Sequence, residues 1–156
     1  MYLRPFPKQY LDVRIVRIFN TYGPHMQKDD GRVVSNFVLD TLTNKSIVIF
    51  GSGKQTRSFC YVDDVVEGIT KAMLSENTKG EVFNIGSEDE RTIYELATII
   101  KKMTNSSSDI IYEELPEDDP KTRRPSIAKA EKVLNWKPTV ALEEGLKKTI
   151  EYFKTV

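Results

Sequence analysis

The chain has little of what the commonest functional sites require. Its single cysteine, Cys60, excludes an internal disulfide, and one cysteine with one histidine, His25, excludes an ordinary structural zinc site. No apolar run approaches the ~18 residues of a membrane-spanning helix. The N-terminus, MYLRPFPKQY, carries no apolar signal core. Lys+Arg and Asp+Glu both number 23, so there is no charge excess to hold a polyanion, which disfavours a dedicated nucleic-acid binder. Eight glycines stand at 23, 31, 51, 53, 68, 80, 86 and 145, and no three make G-x-G-x-x-G. That turn is what rests a dinucleotide pyrophosphate on bare backbone N–H groups. Gly51-Ser-Gly-Lys-Gln-Thr56 misses the Walker pattern, because Val48 stands where it needs glycine and Gln55 where it needs Ser or Thr. These absences predict a soluble, cytoplasmic protein with no membrane or nucleic-acid partner.

What is present is an ordinary globular composition. At 156 residues with 39% hydrophobic side chains, the chain has room for one domain and a real core. Leu11 to Phe19 reads as a strand with apolar groups on both faces, the pattern of a strand covered on both sides. A loop follows from Asn20 to Gly31, then a helix over Arg32 to Thr43 with Val33, Phe37, Val38 and Leu42 near one face. Short strands are predicted at Ser46 to Phe50, Arg57 to Tyr61, Glu81 to Ile85 and Asp109 to Tyr112. Helices are predicted over Val62 to Leu74, Thr92 to Met103, Ile127 to Leu134 and Leu142 to Phe153. Pro138 separates the last two. A charged, proline-bounded loop spans Glu113 to Pro125. Alternating strands and helices give an α/β layer structure.

Four stretches carry a resemblance: Arg17-Ile-Phe-Asn-Thr-Tyr-Gly-Pro24 with Asp30-Gly-Arg-Val-Val-Ser-Asn-Phe37; Phe50-Gly-Ser-Gly-Lys-Gln-Thr-Arg-Ser-Phe-Cys-Tyr-Val-Asp-Asp64; Phe83-Asn-Ile-Gly86; and Asp118-Asp-Pro-Lys-Thr-Arg-Arg-Pro125, with Leu134-Asn-Trp136 behind it. In this order the chain resembles the C-terminal half of the extended short-chain dehydrogenases/reductases that act on nucleotide sugars, and among these the UDP-glucuronate decarboxylases. The resemblance implies one or two strands of a parallel sheet plus a small mixed α/β substrate-binding region. The whole of residues 1–156 would form a single domain or half-protein. It also implies a Rossmann half with a glycine loop and a Tyr-x-x-x-Lys pair, neither of which this sequence contains. NAD would belong to the intact enzyme and not to this chain alone. The partners would be a UDP-sugar and either the missing Rossmann half or a second copy of the chain.

The same resemblance assigns residues. Arg57 and Arg124 would meet the diphosphate, with Arg123 a weaker candidate. Gln55 would contact nucleotide or sugar. Asn20 and Ser35 would face the substrate, Thr21 the nicotinamide side, and Arg32 both cofactor and reacting sugar as an auxiliary group. Each has a plainer alternative: Arg57 as a surface arginine on an edge strand, Arg124 in a solvated charge run, Arg32 as an exposed first-turn residue, Phe50 as core rather than neighbour of the base. Asp63 and Asp64 resemble a catalytic acid pair, but aspartate at a helix start is better explained by capping and the helix dipole. Ser126, where many relatives have aspartate, would cap the following helix. The implied reaction oxidises C4 of the sugar, loses CO2 from the resulting β-keto acid and reduces C4 again. Three alternatives remain open: an epimerase or 4,6-dehydratase on the same scaffold, a stand-alone nucleotide-sugar binding or interaction module, and a non-functional remnant.

Overall fold

The computed structural model describes residues 12–28, 30–114 and 122–156. In chain order the elements are β1 (Ile15–Ile18), β2 (Thr21–Tyr22), α1 (Val33–Leu42), β3 (Ile47–Phe50), β4 (Thr56–Ser58), β5 (Cys60–Tyr61), α2 (Val62–Leu74), β6 (Val82–Ile85), β7 (Glu90–Thr92), α3 (Ile93–Thr104), β8 (Ile110–Glu113), β9 (Thr122–Arg123), α4 (Ala128–Leu134) and α5 (Leu142–Phe153). β1 pairs in parallel with β6, β2 with β5, and β3 with β8, while β4 lies between antiparallel β7 and parallel β9. The α/β class expected from the sequence is therefore present, and the β1·β6 pair is the piece of parallel sheet.

Two cores hold these layers. Phe37, Val38, Ile49, Leu96, Ile100 and Leu146 bring α1, α3 and α5 onto β3. Phe83, Ile85, Val65, Ala72, Leu134 and Trp136 bring α2 and α4 onto β6. α2 buries Val65, Gly68 and Ala72, a helical repeat along one face. Gly68 permits the approach: a methyl group there would stand 2.9 Å from both Ile85 and Trp136. α3 starts at a reciprocal cap, in which the Glu95 amide donates to Thr92 Oγ1 (3.1 Å) and the Thr92 amide to Glu95 Oε2 (2.8 Å). It ends at Asn105 in the left-handed region, φ 52°.

The structure corrects several expectations. β1 is shorter than predicted, and among the described residues it pairs on one edge only, leaving Ile15 and Ile18 exposed. Leu11 and most of the acidic loop lie outside the described residues. The predicted Arg57–Tyr61 strand breaks at Phe59, where the chain leaves one sheet and joins β2 in another. β9 falls in the segment expected to be a loop, and β7 ends on Thr92, expected as the first helical residue, because their order comes from pairing with β4 rather than from an apolar pattern. α1 is rotated from the expected face and buries Val34, Ser35, Phe37, Val38 and Thr41, with Val33 and Leu42 only half-buried. Ser126 does not cap α4: Ile127 is the N-cap and no side chain caps it.

Asp64 is the largest correction. It does not cap its own helix, whose N-cap is Tyr61. It is buried, and its Oδ1 accepts from the Thr139 amide (3.1 Å) and hydroxyl (3.0 Å) while its Oδ2 accepts from the Val140 amide (3.0 Å). The Trp136 indole N–H donates to the Asp64 carbonyl at 2.9 Å. Removing the carboxylate strands two backbone donors in a dry environment. Asp64→Ala is therefore expected to cost about 3 kcal/mol, and Asp63→Ala, on the exposed side of the same turn, under about 1 kcal/mol, by urea denaturation.

The exposed side chains Val13, Ile15 and Ile18 flank the open edge of β1, and Val66 and Met73 are exposed on α2 beside it. Unpaired edges and bare apolar patches recruit further chains. The isolated chain is expected to self-associate with rising concentration and to bind an apolar dye, and Ile15→Lys with Ile18→Glu should reduce both. A monodisperse, dye-silent wild type in ultracentrifugation would contradict this.

Candidate functional site

β1 and β6 end side by side, with Ile18 opposite Ile85. Asn20 and Thr21 follow β1 directly. The Asn20 carbonyl accepts from the Cys60 amide (3.0 Å), and Thr21 pairs with Cys60. The Asn20 side-chain Nδ2 is buried and has no hydrogen-bond partner among the described residues. A buried unpaired amide costs stability. Beyond β6, Gly86 touches both neighbours: a methyl group there would stand 2.8 Å from Phe19 Cβ and 3.1 Å from Pro125 Cγ. The lack of a side chain at Gly86 is what lets the Arg124–Pro125 segment close against the Phe19–Asn20 corner.

A second group lies at the start of α1. The Asp30 carboxylate, 10% exposed, accepts from the Ser35 hydroxyl (2.5 Å) and the Arg32 amide (3.0 Å) through Oδ1, and pairs with Arg32 Nε (2.8 Å) through Oδ2. Burial pushes this carboxyl up, but the Ser35 hydroxyl and the Arg32 amide and guanidinium outweigh it and hold it below the ordinary range. Arg32 Nη1 lies 3.4 Å from the Thr21 carbonyl. The structure places Ser35, expected to face a substrate, fully buried, with its hydroxyl on Asp30 and the Arg32 carbonyl, where it supports the start of α1.

The third group is the β7–β4–β9 sheet. Arg57 is not a surface arginine on an edge strand: it sits in the middle strand at 8% exposure, with Nη1 donating to the Thr56 carbonyl at 2.8 Å. Its register partners are Arg91 and Arg123. Arg91 pairs with Asp89 (2.9 Å), and its buried Nε has no hydrogen-bond partner among the described residues. Arg124 is half exposed, 3.7 Å from Glu88. Phe50 is exposed, which removes its core reading, and the Gln55 amide donates to the Phe50 carbonyl at 2.6 Å, tying the glycine turn together. Arg57 stands three residues before Cys60, across the break at Phe59, and Cys60 is the residue that Thr21 pairs with and whose amide meets the Asn20 carbonyl. Asp30, Arg91 and Glu88 were missed from the sequence. For Asp30 the signal was there, an aspartate just before a helix start.

A family profile described as NAD dependent epimerase/dehydratase family matches residues 1–86. The chain belongs to that family. It is 46% identical over 144 residues to UDP-glucuronic acid decarboxylase 1 of Xenopus tropicalis and 47% identical to UDP-glucuronic acid decarboxylase 1 of Arabidopsis thaliana, covering 92% of this chain in each case. It spans about a third of the length of these relatives, 34% and 33%. Among solved structures it superposes on UDP-glucuronic acid 4-epimerase of Bacillus cereus in complex with UDP-glucuronic acid and NAD, with a TM-score of 0.87 and 31% identity over 94% of this chain and 46% of that one. It also superposes on UDP-glucose 4-epimerase of Thermotoga maritima with UDP-glucose, with a TM-score of 0.86 and 35% identity over 91% and 46%. The epimerase/dehydratase fold thus covers nearly all of the chain.

The closure at Gly86 makes a prediction. Gly86→Ala should push Phe19 and Pro125 apart and destabilise the chain by about 1–3 kcal/mol. Gly80→Ala, where nothing lies within 4 Å but φ is +75°, should cost about 1 kcal/mol through backbone strain alone. Paired urea titrations check the difference.

Proposed function

We propose that this chain is the UDP-sugar-binding portion of an NAD-dependent enzyme of UDP-glucuronate decarboxylase type, acting in the cytoplasm. Its partner would be a Rossmann half or a second copy of the chain. The reading is supported by how the segments lie: buried Arg57 pairs in register with Arg123, the Arg124–Pro125 segment that follows closes on Gly86 beside Phe19, and next comes Asn20, whose buried amide nitrogen has no hydrogen-bond partner among the described residues. In parallel α/β sheets ligands collect at the carboxyl ends of strands. Guanidinium forks suit a diphosphate, and a buried amide suits a polar sugar. The names of the decarboxylase relatives and the complexes of the similar epimerases supply the ligand class.

In this reading Arg57 and Arg124 hold the diphosphate, Gln55 with Phe50 borders the nucleotide, and Asn20 takes the sugar. Thr21 and Arg32 border the nicotinamide side. In the intact enzyme NAD would take hydride from C4 of the sugar and return it. The described residues include no glycine-lined strand-to-helix turn to cradle the NAD pyrophosphate, so no step of that chemistry is assigned to them. What they do is bind and orient. An epimerase is the second reading, favoured by the two superposed 4-epimerases. A product assay separates the two, since only decarboxylation releases CO2.

The site is tested by ligand-observed NMR with UDP and uridine. Two charge-assisted bonds of roughly 1.5–3 kcal/mol each predict that UDP binds at about millimolar affinity and uridine more weakly. Arg57→Ala or Arg124→Ala should each remove most of that difference, and lysine should restore little of it because it lacks the fork. Equal binding of the two ligands, or unchanged UDP binding in both variants, would refute the assignment.

A further inference from the structure

We infer that Asp30 is a positioning residue, which aims the Arg32 guanidinium at the sugar end of the site; the inference rests on the reading of that site given above. Two observations carry it, the shielding of the Asp30 carboxylate and the placement of the Arg32 guanidinium. The carboxylate is nearly buried, and both its oxygens are spent on residues of the next five positions. Oδ2 has no aligned hydrogen-bond donor among the described residues, so the Arg32 Nε ion pair at 2.8 Å is its compensation there. A nearly buried carboxylate holds its counter-charge firmly, because losing it leaves an uncompensated charge.

The second point is where Arg32 is left. Its Nε is directed to Asp30 and its Nη1 toward the Thr21 carbonyl, so a planar group is fixed at two corners. The Arg32 side chain nevertheless remains 58% exposed, which leaves the fork open to a ligand. Thr21 follows Asn20, whose buried amide nitrogen has no hydrogen-bond partner among the described residues. Asp30 thus ties the start of α1 to the corner beyond β1, and Ser35 braces the carboxylate from behind. An arginine held this way spends less rotamer entropy on binding than one loose in solvent.

The test uses the chain as it stands. Asp30→Asn keeps an oxygen for the Ser35 hydroxyl and the Arg32 amide but removes the charge that holds Nε. Asp30→Glu returns the charge on a longer stem. The Arg32 Nε–H resonance, assigned by its loss in Arg32→Gln, is expected to exchange slowly in wild type and rapidly in Asp30→Asn. UDP-glucuronate and UDP are titrated in parallel. Asp30→Asn should weaken UDP-glucuronate about fivefold and UDP less than about twofold, and in the Arg32→Gln background it should change neither, as expected when one residue acts only through the other. Asp30→Glu should recover part of the loss. Equal weakening of both ligands, an undiminished effect in the Arg32→Gln background, or an unaltered Nε–H resonance in Asp30→Asn would overturn the inference. If wild type bound neither ligand, the reading of the site would fail, while the resonance would still decide whether Asp30 holds Arg32.

Discussion

The carboxylate of Asp64 belongs to the first turn of α2, yet its bonds run to Thr139 and Val140, in the connection between α4 and α5. That connection also sends the Trp136 indole back to the Asp64 carbonyl. Both cores depend on the pair of links. Trp136 fills the space under Gly68 in the α2/α4 core, and Leu142, just beyond the bonded segment, enters the core built on α1 and α3. A charge in such a place is tolerated because three protein donors replace its water. The result is a joint that ties α2 to the segment leading into α5.

The sequence showed the helices well, because their signals are local. Val65, Gly68 and Ala72 repeat along one face of α2, and the Thr92–Glu95 capping box is made by residues three positions apart. The fold class and the family followed from alternation and from motif order. What stayed hidden depends on partners distant in the chain. Glu90–Thr92 has no apolar alternation and is a strand only because Thr56–Ser58 lies beside it. The Asp64 carboxylate looked like a cap because the Thr139 and Val140 amides, more than seventy positions on, are invisible from Val62.

The candidate site shows the same division. Arg57, Arg124, Asn20 and Arg32 are proposed through motif resemblance, which says nothing of their environments. Nothing in Thr-Arg-Ser says that the arginine is the middle of a three-stranded sheet rather than an edge. Nothing in Val-Val-Ser says that the hydroxyl turns inward to Asp30. Burial is a property of the assembled layers, so residue type alone placed the charges without revealing which of them the protein shields. The shielded ones, Arg57 and Asp30, are those whose charge acts across the lowest local dielectric.

The parallel pairings carry a consequence for how the chain acquires this shape. Ile15 joins Val82, Ile47 joins Ile110 and Thr56 joins Thr122, so each ladder closes a long stretch of intervening chain before its first bond forms. Closure entropy is lost early and repaid late in such topologies. The helices, whose bonds are local, can flicker into being on their own, whereas the sheet must wait for a rare encounter of remote segments. Slow, search-limited folding is thus built into the strand order, and the interval before the ladders close is when the apolar strands are most open to other chains.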